Sequence, residues 1–289
     1  MKKLLSSIVV AGLLMTNSLA ADTKTENVKH NAVLKAENKA EQSKELIKEA
    51  IRALKYTQDA YIYLHKNKTD KALESLKKAI GELTVILNKP NAPYLLPVDI
   101  RVEVDEYIGD IKNIAKQVRT AKIALAKNQL PLTRNILNTL KSEIDIKAIN
   151  IPLATYPDAI KLAIKYINEN KIKEAQDVIA MALNTLVTTD TIIPIPIVKA
   201  NDLVIAASKI AKKDKKQTLK YLEEAKKQLK IAELLGYTST SDTTYKMLKN
   251  SIENIENKLN HNKNTDSFFE DLKTKLKEFK EKAVSIISK

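Results

Sequence analysis

Four stretches of this chain superimpose in a single helical register, and that register limits the possible folds more than any other feature. NKTDKALESLKKAIGEL from Asn67, NQLPLTRNILNTLKSEI from Asn128, NKIKEAQDVIAMALNTL from Asn170 and KDKKQTLKYLEEAKKQL from Lys213 align residue for residue. Their sixth positions are Ala72, Thr133, Ala175 and Thr218, and their tenth are Leu76, Leu137, Ile179 and Leu222. The thirteenth are Ala79, Leu140, Ala182 and Ala225, and the seventeenth Leu83, Ile144, Leu186 and Leu229. Steps of four, three and four keep these columns on one face of an α-helix. Small residues in the first column let that face approach a neighbour closely. A second amphipathic run and a polar turn precede each stretch, so the repeating unit is an αα-hairpin. In the second unit the spacing predicts a longer first helix, from about Glu103 to Lys127, and Pro131 suits a first helical turn.

Each hairpin is followed by a helix breaker: NKPNAPYLLPVDI at 88–100, INIPLATYPDA at 149–159, DTIIPIPIVKA at 190–200 and LLGYTSTSDTTY at 234–245. Proline removes a helical donor and pushes the preceding residue into extended conformations. The third breaker is too apolar for a solvent loop, so these segments read as connectors crossing packed helices. Turn starts spaced by 61, 42 and 43 residues do not fit the 34-residue tetratricopeptide period. The expected fold is all-α: a compact bundle of repeated antiparallel helical hairpins joined by Pro-containing extended connectors. With only four glycines, three phenylalanines and no tryptophan, composition favours helices over any sheet.

The ends lie outside the repeat. Residues 1–20 have the organisation of a cleavable secretory signal peptide: Lys2 and Lys3, an apolar run from Leu4 to Met15, then small residues at Ser18 and Ala20. That predicts export, with the periplasm as the expected location. Residues 21–44 read as a polar, frayed segment, 45–258 as the helical domain, and 259–289 as a linker with an amphipathic helix. That helix carries Phe268, Phe269, Leu272, Leu276, Phe279, Val284 and Ile287. It is expected to pack back on the bundle, or alternatively to make peripheral membrane contact through 266–289.

Nothing in the chain announces a reaction. There is no cysteine, hence no disulfide framework and no thiol nucleophile. His30, His65 and His261 are isolated, and a metal site needs three or four converging ligands. Asp99, Glu103, Asp105 and Glu106 read as acids favoured by a helix N-terminus. Glycine is too scarce for a phosphate loop or a nucleophile elbow. The formal net charge is +14, but the arginines are only Arg52, Arg101, Arg119 and Arg134. Nucleic-acid readout leans on arginine forks, so no nucleic acid is expected as a partner. No enzyme activity and no cofactor are expected.

YLLPVDI at 94–100, KNQLPLTRNIL at 127–137, IIPIPIVKA at 192–200 and AELLGYTS at 232–239, in that order and spacing, resemble the YfdX protein family over roughly residues 45–255. The resemblance implies an exported helical protein associated with stress responses. Some members are described as chaperone-like or as binding small molecules. No catalytic residues carry over from the family.

The expected function is therefore non-catalytic, chaperone-like binding of other periplasmic proteins or unfolded clients. A small apolar ligand or an envelope-associated scaffold is the alternative, and a homo-oligomer is compatible with apolar helical seams. The connectors supply the expected partner-binding residues: Tyr94, Leu95, Leu96, Tyr156, Ile193, Ile195 and Tyr237. Tyrosine suits such a rim because it combines contact area with one hydrogen bond.

Overall fold

The computed structural model describes residues 23–42, 47–238 and 243–287. The expected signal peptide at 1–20 lies outside them. The described chain is mostly helical. In order it runs α1 (Thr23–Gln42), α2 (Lys48–His65), α3 (Thr69–Leu87), β1 (Leu95–Asp105), α4 (Ile111–Ala126), α5 (Leu130–Asn138) and β2 (Glu143–Pro152). It continues with α6 (Tyr156–Asn168), α7 (Ile172–Asn184), β3 (Val187–Pro194), α8 (Ile195–Ile210), α9 (Lys215–Leu234), α10 (Thr243–Asn260) and α11 (Asp266–Ile287).

The four expected hairpins are α2–α3, α4–α5, α6–α7 and α8–α9. Three of them turn on the asparagine that opens the aligned stretch: Asn67, Asn128 and Asn170 have φ of 55°, 56° and 61°. Each is the left-handed residue of the same helix-terminating motif. The amide of the next residue reaches back five positions, Lys68 to Tyr63, Gln129 to Ala124 and Lys171 to Tyr166, at 2.8–2.9 Å. Asparagine tolerates this conformation because its short side chain bonds locally. The fourth turn differs: Asp214 caps α9, its carboxylate accepting from the Gln217 amide at 2.9 Å.

The connectors are extended, as expected, but they pair. β1, β2 and β3 form an antiparallel sheet with β2 in the centre, a layer the composition argument did not anticipate. The cause is local. Glu143-Ile-Asp-Ile-Lys-Ala and then Ile149-Asn-Ile alternate with period two, with one change of phase at Ile149, and β-branched residues fit a pleated, half-buried surface. That alternation also overrides the helical register of the second stretch. α5 ends at Asn138, so Leu140 follows the helix and Ile144 sits on β2. Asp99, Glu103 and Asp105 lie on β1, and the helix expected from Glu103 begins at Ile111. Asp110 caps it, accepting from the Asn113 amide at 2.7 Å.

The prolines now have separate tasks. Pro97 sits where the β1–β2 register shifts, on an edge strand that can spare a donor. Pro194 ends β3 and caps α8, so the second half of IIPIPIVKA is the first turn of a helix. Pro131, Pro157 and Pro196 occupy first turns of α5, α6 and α8.

Three apolar clusters hold the elements together. α2–α3 packs on α6–α7 through Ala53, Ala60, Leu76, Leu83, Ile160 and Ile179, closed at the sheet by Leu96 and Ile151. α8, α9, α10 and α11 enclose Leu203, Leu222, Leu229, Leu248, Phe269 and Leu276. The third cluster sets Ala32, Val33, Ala36 and Ala40 of α1 on Ile144, Ile195 and Val198. Residues 21–44, expected to be frayed, thus contain a docked helix, because small alanines at helical spacing supply an apolar stripe that mean hydropathy hides. α11 buries Phe269, Leu272, Leu276 and Phe279, so the apolar face considered for membrane contact is covered by this fold along that part of its length.

Candidate functional site

The seven residues chosen from the connectors do not form one surface. Leu96, Tyr156 and Ile195 are fully buried and serve the core, which corrects their expected role as contacts. Each faces inward because the connector is a strand, or a strand-to-helix junction, packed beneath helices. Leu95 and Ile193 are half-buried on the sheet. Tyr94 alone is open to solvent, at 87% exposure.

Tyr237 takes part in the most developed polar cluster outside the helix faces. It follows Gly236 (φ 87°), which ends α9 with the same back-reaching amide bond, Tyr237 N to Ala232 O at 2.9 Å. This directs the phenol at β2. The hydroxyl donates to Glu143 Oε2 at 2.7 Å and accepts from the Ser142 amide at 3.1 Å. Glu143 is itself buried, with Lys141 Nζ 3.5 Å from its other oxygen. Burial pushes the Tyr237 hydroxyl well above its ordinary pKa, partly offset by the Ser142 amide and reinforced by the adjacent Glu143 carboxylate. A phenol so placed stays protonated and holds a fixed donor against a carboxylate. On the same end of α9, Tyr245 donates to Glu233 Oε2 at 2.9 Å, and Lys230 reaches that oxygen at 2.8 Å.

Tyr237 and Glu143 sit on the wall of a cleft of about 480 Å³ between the α4–α5 hairpin and the end of α9. Val118, Leu137, Leu140, Leu234 and Leu235 make its apolar sides, and Lys122, Lys141 and Glu233 its polar margin. That size and that mixture, apolar walls with a few oriented polar groups, are the usual makings of a ligand site.

The cleft is open because of how α4–α5 is placed. Each other hairpin packs on a second helical pair, whereas α5 packs extensively on α4 alone, and α4 on α9. Buried positions in this hairpin are few: Ile114, Ala121 and Ala124 in α4, Thr133 in α5. Ile123, Leu125, Leu130, Leu132 and Leu137 are all about half exposed. Sequence reasoning placed Leu137 in a packing column and missed the others. The signal was there in Leu132, where the aligned positions of the other two turns carry Lys71 and Glu174.

Among the described residues, no group of three or more His, Asp and Glu side chains is arranged to hold a metal ion. No described helix is long and apolar enough to cross a membrane.

These features define a helical-hairpin protein whose hairpins are strung on a three-stranded sheet. Residues 53–192 match the family model described as YfdX protein. The match spans most of α2 through β3, three successive helical hairpins with their strands, and stops short of α8–α11. A solved structure of YfdX from Salmonella Typhi is 15% identical, with 52% of this chain and 93% of that chain covered at a TM-score of 0.38. No curated protein matches the chain.

Proposed function

We propose that the chain is a non-catalytic, chaperone-like protein of the cell envelope that holds apolar segments of other proteins in the cleft between α4–α5 and α9. One observation carries this reading: α4–α5 has no partner hairpin, so its Val118 and Leu137 line an open cleft rather than a core. Proteins that hold unfolded clients need accessible apolar surface on a scaffold that stays soluble. Here lysine-rich helix faces, at a net charge of +14, supply the solubility. The periplasmic address comes from the arrangement of residues 1–20.

The test is suppression of aggregation of a denatured client, at neutral and at acidic pH. Wild type suppresses, and Leu137→Asp, which charges a half-exposed wall without touching the core, suppresses far less. No suppression by wild type in molar excess at either pH removes the proposal.

The polar end of the cleft favours a second reading, a small apolar molecule carrying a hydrogen-bonding group. The Tyr237–Glu143 pair would fix its orientation. A thermal-shift screen of small apolar compounds separates the two readings. A compound that raises Tm in wild type and not in Leu137→Asp, with no effect on client aggregation, decides for the small ligand.

A further inference from the structure

Three hairpin tips share one backbone geometry and differ in chemistry. Asn67 is flanked by Lys66, Lys68 and Asp70, and Asn170 by Glu169, Lys171 and Lys173. Asn128 is flanked by Lys127 and Gln129, but Leu125, Leu130 and Leu132 around it are exposed by 55%, 51% and 47%, whereas the aligned Leu64 and Ile167 are buried and Ile172 is half-buried. Three leucines held half in water around one turn are an unfavourable placement that the other two turns avoid.

The charge around this tip is equally particular. No acidic residue occurs from Ile111 to Ser142. Lys112, Lys116, Arg119, Lys127 and Arg134 are exposed in that span, and none forms an ion pair among the described residues. Elsewhere the chain interleaves the signs, as where Lys226 meets both Glu223 and Glu256 at 2.9 Å. On α4, Lys112, Lys116, Arg119 and Ile123 share the outward face, at steps of four, three and four, opposite the buried Ile114 and Ala121.

We propose that the α4–α5 tip docks on an anionic lipid bilayer. Leu125, Leu130 and Leu132 enter the acyl boundary, and Lys116, Arg119 and Lys127 meet headgroup phosphates. A bilayer surface answers both features in one occupant: hydrocarbon for the leucines and, just above it, negative charge for the lysines and arginines. A nucleic acid would seek stacking platforms, and no aromatic residue occurs between Tyr107 and Tyr156. A second copy docking tip to tip would set like charges against each other. The contact is peripheral, since no described helix can span a membrane. It uses tip residues that do not line the cleft, so it stands or falls apart from the proposed function.

The test is sedimentation of the full chain with vesicles of phosphatidylglycerol and phosphatidylethanolamine, against vesicles of phosphatidylcholine alone. The Leu4–Met15 run is common to all variants, so differences between variants report the tip. Wild type partitions to the anionic vesicles. Each basic residue near the surface is worth about 5-fold in partitioning, so Lys116→Gln/Arg119→Gln/Lys127→Gln lowers it about 100-fold. Leu125→Gln/Leu130→Gln/Leu132→Gln lowers it as well, with an unchanged circular dichroism spectrum. The single Leu130→Gln gives a smaller loss and serves if the triple variant misfolds. Partitioning that is absent, equal on phosphatidylcholine, or unchanged in the variants overturns the proposal. So does a dimer in light scattering that the leucine variant dissolves, or variant-sensitive capture by polyaspartate with no vesicle binding.

Discussion

Removing one oxygen atom from each of two tyrosines, Tyr237 and Tyr156, should change stability in opposite directions. Tyr156 is fully buried and Tyr237 partly buried, and their hydroxyls are in contrasting situations. The Tyr237 hydroxyl bridges the Glu143 carboxylate, at 2.7 Å, and the Ser142 amide, at 3.1 Å. Tyr237→Phe strips a buried carboxylate of its short donor and leaves a backbone N–H without an acceptor. A hydrogen bond to a charged group is worth about 1.5–3 kcal/mol, and an orphaned buried donor costs about 1–3 kcal/mol. The losses overlap, and Lys141 still reaches the other Glu143 oxygen, so the expected cost is about 3 kcal/mol.

Tyr156 is fully buried at the start of α6, and its hydroxyl has no hydrogen-bond partner among the described residues. Thr57 lies nearby but donates its proton to the Ala53 carbonyl at 2.8 Å. Burial, slightly offset by Thr57, pushes the Tyr156 hydroxyl up to about 12. Tyr156→Phe removes a desolvated group that gains nothing, so the expected change is a stabilisation of about 1 kcal/mol. For a chain of this size that raises Tm by about 2 °C, while Tyr237→Phe lowers it by about 5 °C. Urea unfolding at pH 7, followed by circular dichroism, measures both, with unchanged m values as the check that only stability moved. A Tyr156→Phe variant more than about 1 kcal/mol less stable than wild type refutes the reasoning. A Tyr237→Phe variant within about 0.5 kcal/mol of wild type does the same.

The Lys29–Glu224 pair, 3.1 Å apart, pins α1 to α9 and should make that junction pH-sensitive. Burial opposes the charge on Glu224, but Lys29, Gln228 and Lys227 outweigh it and hold its carboxyl below the ordinary 4.5. Its contribution is complete above that ordinary value and is lost as pH falls through the lower folded value. The stability gap between wild type and Glu224→Gln therefore closes as pH falls below the ordinary 4.5, and a gap that stays constant on acidification contradicts the assignment. At Asn67, Asn→Gly should be nearly neutral and Asn→Ala should cost about 1 kcal/mol, because only the alanine resists the left-handed turn. Equal unfolding midpoints for the two variants would show that the turn is not under that constraint. Leu76→Ala in the α2–α3 core should cost roughly 2–5 kcal/mol, while Leu130→Ala at the exposed tip should stay within about 0.5 kcal/mol. A large loss at Leu130 would mean that the tip is buried in solution.

Helix pairing was legible in the sequence because it depends on local rules. The columns through Leu76, Ile179 and Leu222 are buried, and the aligned asparagines are the turn residues. The sheet was not legible, because pairing β1 with β2 joins Leu95 to Pro152 across an entire intervening hairpin. The alternation within β2 marks one strand but not its partners, and the prolines read only as breaks. The same blindness misplaced the candidate site. An apolar connector such as Ile193-Pro194-Ile195 looks alike whether it faces a partner or its own core, and only the pairing decides. The exposed α4–α5 hairpin escaped notice for the converse reason: Leu137 fits the packing register, but no second hairpin arrives to cover it.

The sheet also limits how this architecture can grow. A stack of helical hairpins can gain or lose a unit at little cost when each touches only its neighbours. Here every matched hairpin delivers one strand, and the middle strand needs one on each side. Dropping a unit would strand a row of backbone amides and carbonyls, and adding one would require an edge that is already closed. One edge is β3, with α11 laid beside it; the other is β1, with its register shift at Pro97 and its charged Arg101, Glu103 and Asp105. The length of this assembly is thus set by sheet edges rather than by helix packing, which makes it a finite object built from otherwise extensible parts.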